Sequence, residues 1–290
     1  MTDPQIGNGA APAIQDCALV LGGHRVHYLR AGAGPAVVLV HGLLGYSFSW
    51  RFTIPALARH FTVYAPDLLG IGFSDRVRGL DCSMAAIARR MLDFMRELRL
   101  DSADLVATSH GGAVAALMAA MAADRGTPRL RRLVLVAPVN PWSVAGRHRI
   151  RLLGSRLGGF LFRLMFPRLS STHDWFLNRL YADPGRIRPG TLEGYGAPLK
   201  LEGTFDYLLS VLRCWRADLT QLAPAYAKIT IPTLLIWGDR DVAVQPRSAI
   251  RLLQAIRGSQ LITMPGVGHL PYEESPETFN RILLEFLQRA

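Results

Sequence analysis

Residues Leu105 to Ala116 read LVATSHGGAVAA, and this stretch decides the fold. An apolar run with strand character, Asp104 to Thr108, passes directly into an alanine-rich helical pattern, Gly111 to Ala123. Ser109 lies at the junction, where a sharp strand-to-helix turn would present its side chain at the end of the strand. Such a turn requires small residues two positions before and after the serine, and alanine and glycine stand there. The stretch therefore predicts a serine at the carboxyl edge of a β-sheet, rather than an ordinary serine in a glycine-containing turn.

Strand and helix patterns alternate on both sides of this stretch. The other predicted strands are His24 to Leu29, Ala36 to Val40, Phe61 to Ala65, Leu130 to Ala137, Thr233 to Trp237 and Gln260 to Met264. The other predicted helices are Phe48 to Arg59, Ser83 to Leu98, Pro246 to Ile256 and a closing helix from Pro276, with Ser275 as its cap. This alternation implies right-handed crossovers, so we expect an α/β fold with a doubly wound, mostly parallel sheet.

The alternation breaks from about Val139 to Ala225 into helix-like pieces rich in Arg, Leu, Phe and Trp. We call residues 139–225 the inserted segment and expect it to form a helical cap over a core made of residues 1–138 and 226–290. Residues 1–16 are rich in Gly, Ala and Pro and are expected to form a flexible tail.

The composition limits the partners and the compartment. Half of the 290 residues are apolar, which is ample for a buried core. The formal net charge of +11 comes mainly from arginines scattered along the chain, so we expect no nucleic-acid partner. The three cysteines are far apart and form no C-x-x-C pair, which argues against a disulfide framework and favours a cytoplasmic protein.

The sequence also lacks motifs for a cofactor or a membrane span. It has no phosphate-binding glycine loop and no histidine pair at helical spacing, so we expect neither a cofactor nor a metal ion. The uncharged stretch Leu105 to Ala123 has the length of a membrane helix. Its polar and flexible centre, Thr108 to Gly112, favours a buried strand that runs into a buried helix instead.

A serine nucleophile needs a base and an acid that orients the base. His269 lies in a glycine-containing loop between the last predicted strand and the closing helix, where it can reach the sheet edge. Asp239 and Asp241 both follow the strand that ends at Trp237. We favour Asp241 as the acid and expect Asp239 to serve in the turn. The chain order Ser109, Asp241, His269 is the one expected for a serine on such a turn.

Acyl transfer also requires donors for the negative charge that develops on the carbonyl oxygen. The backbone N–H of His110 directly follows the serine and is one expected donor. The second is expected from Leu43, in the loop His41 to Gly45 that follows the predicted strand ending at Val40.

Five motifs in this order resemble the capped α/β-hydrolase family from about Leu19 to Leu287. They are His41-Gly42-Leu43-Leu44-Gly45 with Ser49-Trp50 behind it, Asp67 to Asp75, the turn at Ser109, Trp237 to Asp241, and Gly268-His269. The resemblance implies a structural role for the Asp67 to Ser74 turn. It also implies a serine hydrolase that needs no cofactor.

The departures from the family's branches narrow the expected reaction. Family members that are haloalkane dehalogenases or epoxide hydrolases have Asp where this chain has Ser109, so the resemblance favours hydrolysis of a carboxylic ester. Lactonases, carbon–carbon bond hydrolases and cofactor-free perhydrolases resemble the chain equally well, and those activities stay open. A non-catalytic ligand-binding protein of the same fold is the alternative from another class.

Aromatic residues of the inserted segment are expected either to line an apolar pocket for a small hydrophobic ester-like substrate or to pack inside the cap. They are Phe160, Phe162, Phe166, Trp175, Phe176 and Trp215. In the helical pattern Arg147 to Met165, one apolar face is formed by Ile150, Leu153, Leu157, Phe160, Leu161 and Leu164, beside a stripe of Arg149, Arg156 and Arg163. We favour an apolar face that covers the active site. The alternative is weak peripheral contact with an anionic membrane.

Overall fold

The computed structural model describes residues 12–125, 128–144, 146–165, 175 and 177–289. Eight strands form one sheet in the order β1-β2-β4-β3-β5-β6-β7-β8. The strands are β1 Gln15–Leu21, β2 His24–Ala31, β3 Ala36–Val40, β4 Thr62–Pro66, β5 Ser102–Thr108, β6 Arg129–Val136, β7 Thr233–Gly238 and β8 Gln260–Met264. β2 pairs antiparallel with β1 and β4, and all other neighbours are parallel. The expected doubly wound, mostly parallel sheet is therefore confirmed.

The α-helices lie between and after these strands. They are α1 Ile54–Leu57, α2 Met84–Glu97, α3 Ser109–Arg125, α4 Arg147–Gly154, α5 Arg156–Met165, α6 Thr191–Gly196, α7 Thr204–Ala227, α8 Arg247–Ala255, α9 Pro271–Glu274 and α10 Pro276–Leu287. Residues 177–180 are also helical, and short 3₁₀ turns occur at Ser47–Trp50, Pro184–Arg186 and Pro198–Lys200. None of these described helices is both long and apolar enough to cross a membrane.

Both faces of the sheet are covered, which explains the unbroken apolar runs in the central strands. Residues of α2, α3, α7 and α8 share one buried cluster with one face of the sheet. Residues of α1 and α10 share a second cluster with the other face. β5 lies between β3 and β6, so the turn from β5 into α3 is at the centre of the sheet's carboxyl edge.

Two local predictions are wrong, and a third is right about the position of a helix cap but not about its hydrogen bond. Residues 15 and 16 belong to β1 and are not part of a tail. The residues of this edge strand are exposed or half-buried, and its first two, Gln15 and Asp16, are polar, so they show no strand pattern. The helix expected from Phe48 to Arg59 is a 3₁₀ turn followed by α1, since Pro55 is tolerated only in the first turn of a helix. Ser275 precedes α10, but its side chain makes no capping hydrogen bond. Residues 1–11 lie outside the described part of the chain.

The inserted segment is helical and contains no strand among its described residues. Its longest helix, α7, packs against α2, α3 and α4 and extends to Ala227. The boundary expected between residues 225 and 226 therefore falls within the last turn of α7. Where the inserted segment ends as a unit stays a prediction.

The single helix expected from Arg147 to Met165 is wrong, because Ser155 separates α4 from α5. Gly158 is required at this junction, since a Cβ there would lie 2.0 Å from the carbonyl oxygen of Leu152. The apolar face is also not a cover for the active site: Leu157 is 69% exposed and Phe160 is 64% exposed. The inward side of α5 is formed by its glycines, which the apolar periodicity did not reveal.

A buried polar network holds the inserted segment on the core. The guanidinium of Arg51 donates to Glu273 Oε2 at 2.6 Å and to Thr191 Oγ1 at 2.8 Å. The hydroxyl of Tyr195 donates to Glu273 Oε1 at 2.7 Å. Burial raises the pKa of Glu273, and the ion pair with Arg51 opposes that rise. The network thus depends on the arginine to keep a buried carboxylate charged.

Replacing Arg51 by Leu should lower the free energy of unfolding by about 3 to 5 kcal/mol at neutral pH, because Glu273 is left buried without its cation. Urea denaturation followed by circular dichroism measures the loss. Arg281→Leu, which breaks the exposed pair with Glu285, is the matched control and should cost less than about 1 kcal/mol. The double change Arg51→Leu with Glu273→Gln should cost less than Arg51→Leu alone. Equal losses for Arg51→Leu and Arg281→Leu would contradict the proposed dependence of buried Glu273 on Arg51.

Candidate active site

Ser109 is held in a strained backbone conformation. Its φ is 52°, in the left-handed region that residues with a Cβ rarely adopt. It is the first residue of α3 and directly follows the last residue of β5. The turn is supported by close packing at Gly111, where a Cβ would lie 2.1 Å from the carbonyl oxygen of His41. The small residue expected after the serine is therefore sterically required.

The structure brings His269 and Asp241 to Ser109. His269 Nδ1 donates to Asp241 Oδ2 at 2.7 Å, because a carboxylate can only accept. The Nε2 atom of the neutral ring is then an acceptor, and Ser109 Oγ lies 2.9 Å from it. His269 and Asp241 are both buried. The three side chains thus have the hydrogen-bonded arrangement that a serine–histidine–aspartate relay requires.

Asp241 and Asp239 have different surroundings. The second oxygen of Asp241 accepts from the amides of Ala243 at 2.7 Å and Val244 at 2.9 Å, so both oxygens are fixed. Asp239 is exposed, and its carboxylate accepts from the amide of Gly266 at 2.7 Å. Asp241 is thus the carboxylate that contacts the imidazole, whereas Asp239 binds the turn before His269.

The loop after β3 lies against the serine. A Cβ on Gly42 would lie 3.1 Å from the Cβ of Ser109, so the loop that carries Leu43 passes directly beside the nucleophile. His41 fixes this loop: its Nδ1 donates to the Gly42 carbonyl at 2.8 Å, and its Nε2 accepts from the Leu68 amide at 3.0 Å. Burial lowers the pKa of His41 and keeps it neutral. The amide of His110 follows Ser109 and that of Leu43 follows Gly42, so the assignment of these two amides as oxyanion donors stays a prediction.

The His110 side chain lies beneath the inserted segment. It is fully buried and stacks on Trp215, with 5.8 Å between the ring centroids. Neither ring nitrogen has a hydrogen-bond partner within the part of the chain that the structure describes. Burial, together with nearby His41, lowers the pKa of His110 to about 3. The ring is therefore neutral near pH 7 and packs as an apolar group.

The other described aromatic residues of the predicted set have different surroundings. Phe160 and Trp175 are exposed, and Phe162 packs against Phe205 at 5.7 Å. Trp215 alone among the described aromatics of the predicted set reaches the nucleophile turn. Phe166 and Phe176 lie outside the described residues.

Sequence reasoning missed Glu274, which fixes the backbone around His269. Its buried carboxylate accepts from the amides of Gly268 at 2.8 Å and Ala182 at 3.1 Å. The amide of His269 donates to the carbonyl of Leu180 at 2.7 Å. The histidine loop is therefore bound to the inserted segment. A glutamate five residues after the histidine was the available signal, but nothing in the sequence marked it as buried.

A second histidine–aspartate pair lies beside the site. Asp67 Oδ2 is 2.7 Å from His27 Nδ1, and the amides of Ser47 and Phe73 donate to the same carboxylate, each at 2.7 Å. Burial alone would lower the pKa of His27, but its contacts with Asp67 raise it overall. This pair shapes the turn after β4, which agrees with the structural role implied for that segment. The described residues include no group of three side chains that could hold a metal ion.

The chain is similar to proteins that catalyse several hydrolytic reactions. A family model described as "Alpha/beta hydrolase family" matches residues 37–282. An uncharacterized protein of Mycobacterium tuberculosis is 32% identical over 91% of this chain and 79% of its own length. Haloalkane dehalogenase 2 of the same species is 28% identical over 90% of this chain and 91% of its own length.

The chain is also similar to two hydrolases named for other reactions. The 2-hydroxy-6-oxo-2,4-heptadienoate hydrolase of Pseudomonas putida is 28% identical over 93% of this chain and 95% of its own length. The solved structure of an epoxide hydrolase superimposes with a TM-score of 0.83 at 24% identity, covering 95% of this chain and 99% of the other. That structural similarity shows the shared fold alone.

Asp241→Asn should slow hydrolysis of a p-nitrophenyl ester about ten-thousandfold, because an amide cannot hold the required tautomer of His269. Asp239→Asn is the matched control and should cost less than about tenfold, since its carboxylate binds only the Gly266 amide. Steady-state kcat, measured on variants with wild-type circular dichroism spectra, decides between them. A larger loss for Asp239→Asn would move the orienting role to that residue.

His110→Met should retain most of the wild-type turnover of a small ester, since the backbone amide remains. Its stability should also depend less on pH. In the unfolded chain this histidine takes up a proton below about pH 6.5, but in the folded protein it does not until about pH 3. The free energy of unfolding of the wild-type protein therefore falls as the pH is lowered between those values. Urea denaturation from pH 7 to pH 4.5 should show a curve flatter by up to about 1.4 kcal/mol per pH unit in the variant. An unchanged slope would mean that His110 is protonated in the folded protein.

Proposed function

The chain belongs to the alpha/beta hydrolase family, and from this we propose that it is a serine hydrolase that cleaves a carboxylic ester or related acyl bond of a hydrophobic substrate. The observation that carries the proposal is the contact of 2.9 Å between Ser109 Oγ and the nitrogen of an imidazole whose other nitrogen is bound to Asp241. Such a contact activates a hydroxyl that is a weak nucleophile by itself.

The first half of the reaction forms an acyl-enzyme. Ser109 Oγ bonds to the carbonyl carbon of the ester while His269 Nε2 takes the hydroxyl proton. The carbonyl π electrons move onto oxygen, and the amides of Leu43 and His110 donate to the resulting oxyanion. The intermediate collapses, the bond to the alkoxy group breaks, and His269 returns the proton to the departing alcohol.

The second half releases the acid. A water molecule gives a proton to His269 Nε2 and bonds to the acyl carbon, so the oxyanion forms again at the same two amides. When this intermediate collapses, the bond to Ser109 Oγ breaks and the serine recovers its proton from His269. Asp241 stays ionised throughout and stabilises the imidazolium in both halves.

The preference for an apolar substrate is supported by the side chains around Ser109. Leu43 and Leu44 follow Gly42, which lies against Ser109, and Trp215 stacks on His110; all three are partly buried hydrophobic residues. His110 adds a neutral ring without a charge to attract an ion. A substrate with a hydrophobic acyl or alcohol group fits this lining better than a charged one.

Hydrolysis of a carbon–carbon bond is the second candidate. The observation that favours it is the 28% identity with the 2-hydroxy-6-oxo-2,4-heptadienoate hydrolase of P. putida over nearly the whole chain. The same three side chains would serve, but a carbon atom would leave in place of an alcohol oxygen. Lactone hydrolysis and peracid formation would also use the same relay.

A substrate panel on the purified protein tests the proposal. The panel contains p-nitrophenyl esters of increasing acyl length, a thioester, a lactone, acetate with hydrogen peroxide, and 2-hydroxy-6-oxo-2,4-heptadienoate. We expect ester hydrolysis with kcat/KM rising with acyl length. Ser109→Ala should lose about a millionfold in kcat while keeping the wild-type thermal midpoint, because the three residues act as a unit.

Three other outcomes of the substrate panel would favour a different function or a different nucleophile. A higher kcat/KM for the dienoate than for every ester would favour the second candidate. A folded protein without turnover of any compound would indicate a ligand-binding protein and contradict the proposal. Retention of more than a small fraction of activity by Ser109→Ala would show that another residue is the nucleophile.

A further inference from the structure

An exposed apolar surface lies on α4 and α5 of the inserted segment. We call it the cap patch and define it as Leu152, Leu157, Phe160 and Leu161. Leu152 is 65% exposed and Leu161 44% exposed, in addition to the exposures of Leu157 and Phe160 given above. The two helices contact each other, and a group of exposed large apolar residues on neighbouring helices commonly marks a site of interaction.

The cap patch is exposed because α5 contacts the protein through its opposite side. Gly158 and Gly159 are buried, and a Cβ on Gly159 would lie 3.5 Å from the Leu209 side chain of α7. At 100° per residue, Leu157, Phe160 and Leu161 fall on the side away from this contact. The packing of the glycines therefore fixes which way the apolar side chains point.

Positive charge surrounds the cap patch. Residues 139–165 contain five arginines and neither Asp nor Glu, so they contribute +5 of the formal charge of +11. Arg149, Arg151 and Arg156 are exposed. No carboxylate among the described residues pairs with any of these three side chains. Both an apolar surface and unneutralised cations are thus presented together.

We propose that the cap patch and these arginines bind the surface of an anionic phospholipid membrane. The apolar side chains would enter the boundary between headgroups and acyl chains, and the guanidinium groups would bind lipid phosphates. Each cation near an anionic bilayer strengthens such binding. The helices lie on the membrane and do not span it.

Charge distinguishes this occupant from a second copy of the chain. A symmetric dimer through the cap patch would place two identical arginine-rich segments against each other, and like charges across an interface are unfavourable. An anionic membrane supplies an apolar phase and the opposite charge together.

Co-sedimentation with phospholipid vesicles tests the proposal on the full chain. Vesicles of phosphatidylglycerol and phosphatidylcholine are compared with vesicles of phosphatidylcholine alone, at about 0.05 M and about 0.5 M NaCl. We expect reversible binding to the anionic vesicles at low salt, weakened at high salt, and little binding to the neutral vesicles.

Two sets of variants assign the binding to the cap patch. Arg149, Arg151 and Arg156 changed together to Gln should weaken the apparent affinity for anionic vesicles about tenfold or more. Arg59, Arg251 and Arg257 changed to Gln remove the same charge from exposed sites elsewhere and should cost less than about threefold.

Leu157→Ser with Phe160→Ser should also weaken binding to anionic vesicles about tenfold. The control is Val20→Ser with Ile250→Ser, which changes two exposed apolar residues outside the inserted segment.

Three outcomes would overturn the proposal. The first is no wild-type binding to anionic vesicles at low salt. The second is an equal loss in the patch variants and their controls, which would indicate nonspecific attraction by net charge. The third is a concentration-dependent dimer, seen by analytical ultracentrifugation, that Leu157→Ser with Phe160→Ser abolishes while vesicle binding is unchanged.

Discussion

A serine held at a φ of 52° between a buried strand and a buried helix is unfavourable unless the surrounding backbone imposes it. Here β5 is fixed by parallel neighbours on both sides, and α3 is packed against the sheet. Gly111 permits the loop after β3 to approach, which brings Gly42 against the serine. The position of the nucleophile and of the expected oxyanion donors therefore follows from one sterically constrained turn. The histidine and aspartate reach the same point because β7 and β8 end at the same sheet edge.

Much of this core could be predicted from the sequence, because its signals are local and physically strict. Few folds are compatible with three features of the sequence. These are the small residues on both sides of Ser109, the unbroken apolar strands, and the chain order of Ser109, Asp241 and His269. β1 was not predicted, since the residues of the edge strand Gln15–Leu21 are only exposed or half-buried and burial constrains its sequence weakly. The sequence favoured Asp241 over Asp239, but both follow the same strand, and only the structure shows which carboxylate contacts His269.

The inserted segment was harder to predict, since its surfaces depend on contacts between elements distant in the sequence. The periodicity of leucines in α5 correctly indicated an apolar face but not its direction. Buried glycines determined that direction by packing on α7. The roles of Glu273 and Glu274 were hidden for the same reason, because their partners lie some 80 to 220 residues away in the chain. These acids link the histidine loop to the inserted segment, so the geometry of the relay depends on both parts.

The central claim is that Ser109 is a nucleophile activated by His269. Mass spectrometry of proteolytic peptides after brief treatment with a fluorophosphonate tests it most directly, because the reagent reacts with an activated serine and needs no knowledge of the substrate. Wild-type protein should carry one adduct, on Ser109, and the folded His269→Ala variant should react slowly enough to remain unlabelled over the same time. Labelling of another residue, or equal labelling of Ser109 in both proteins, would contradict the account.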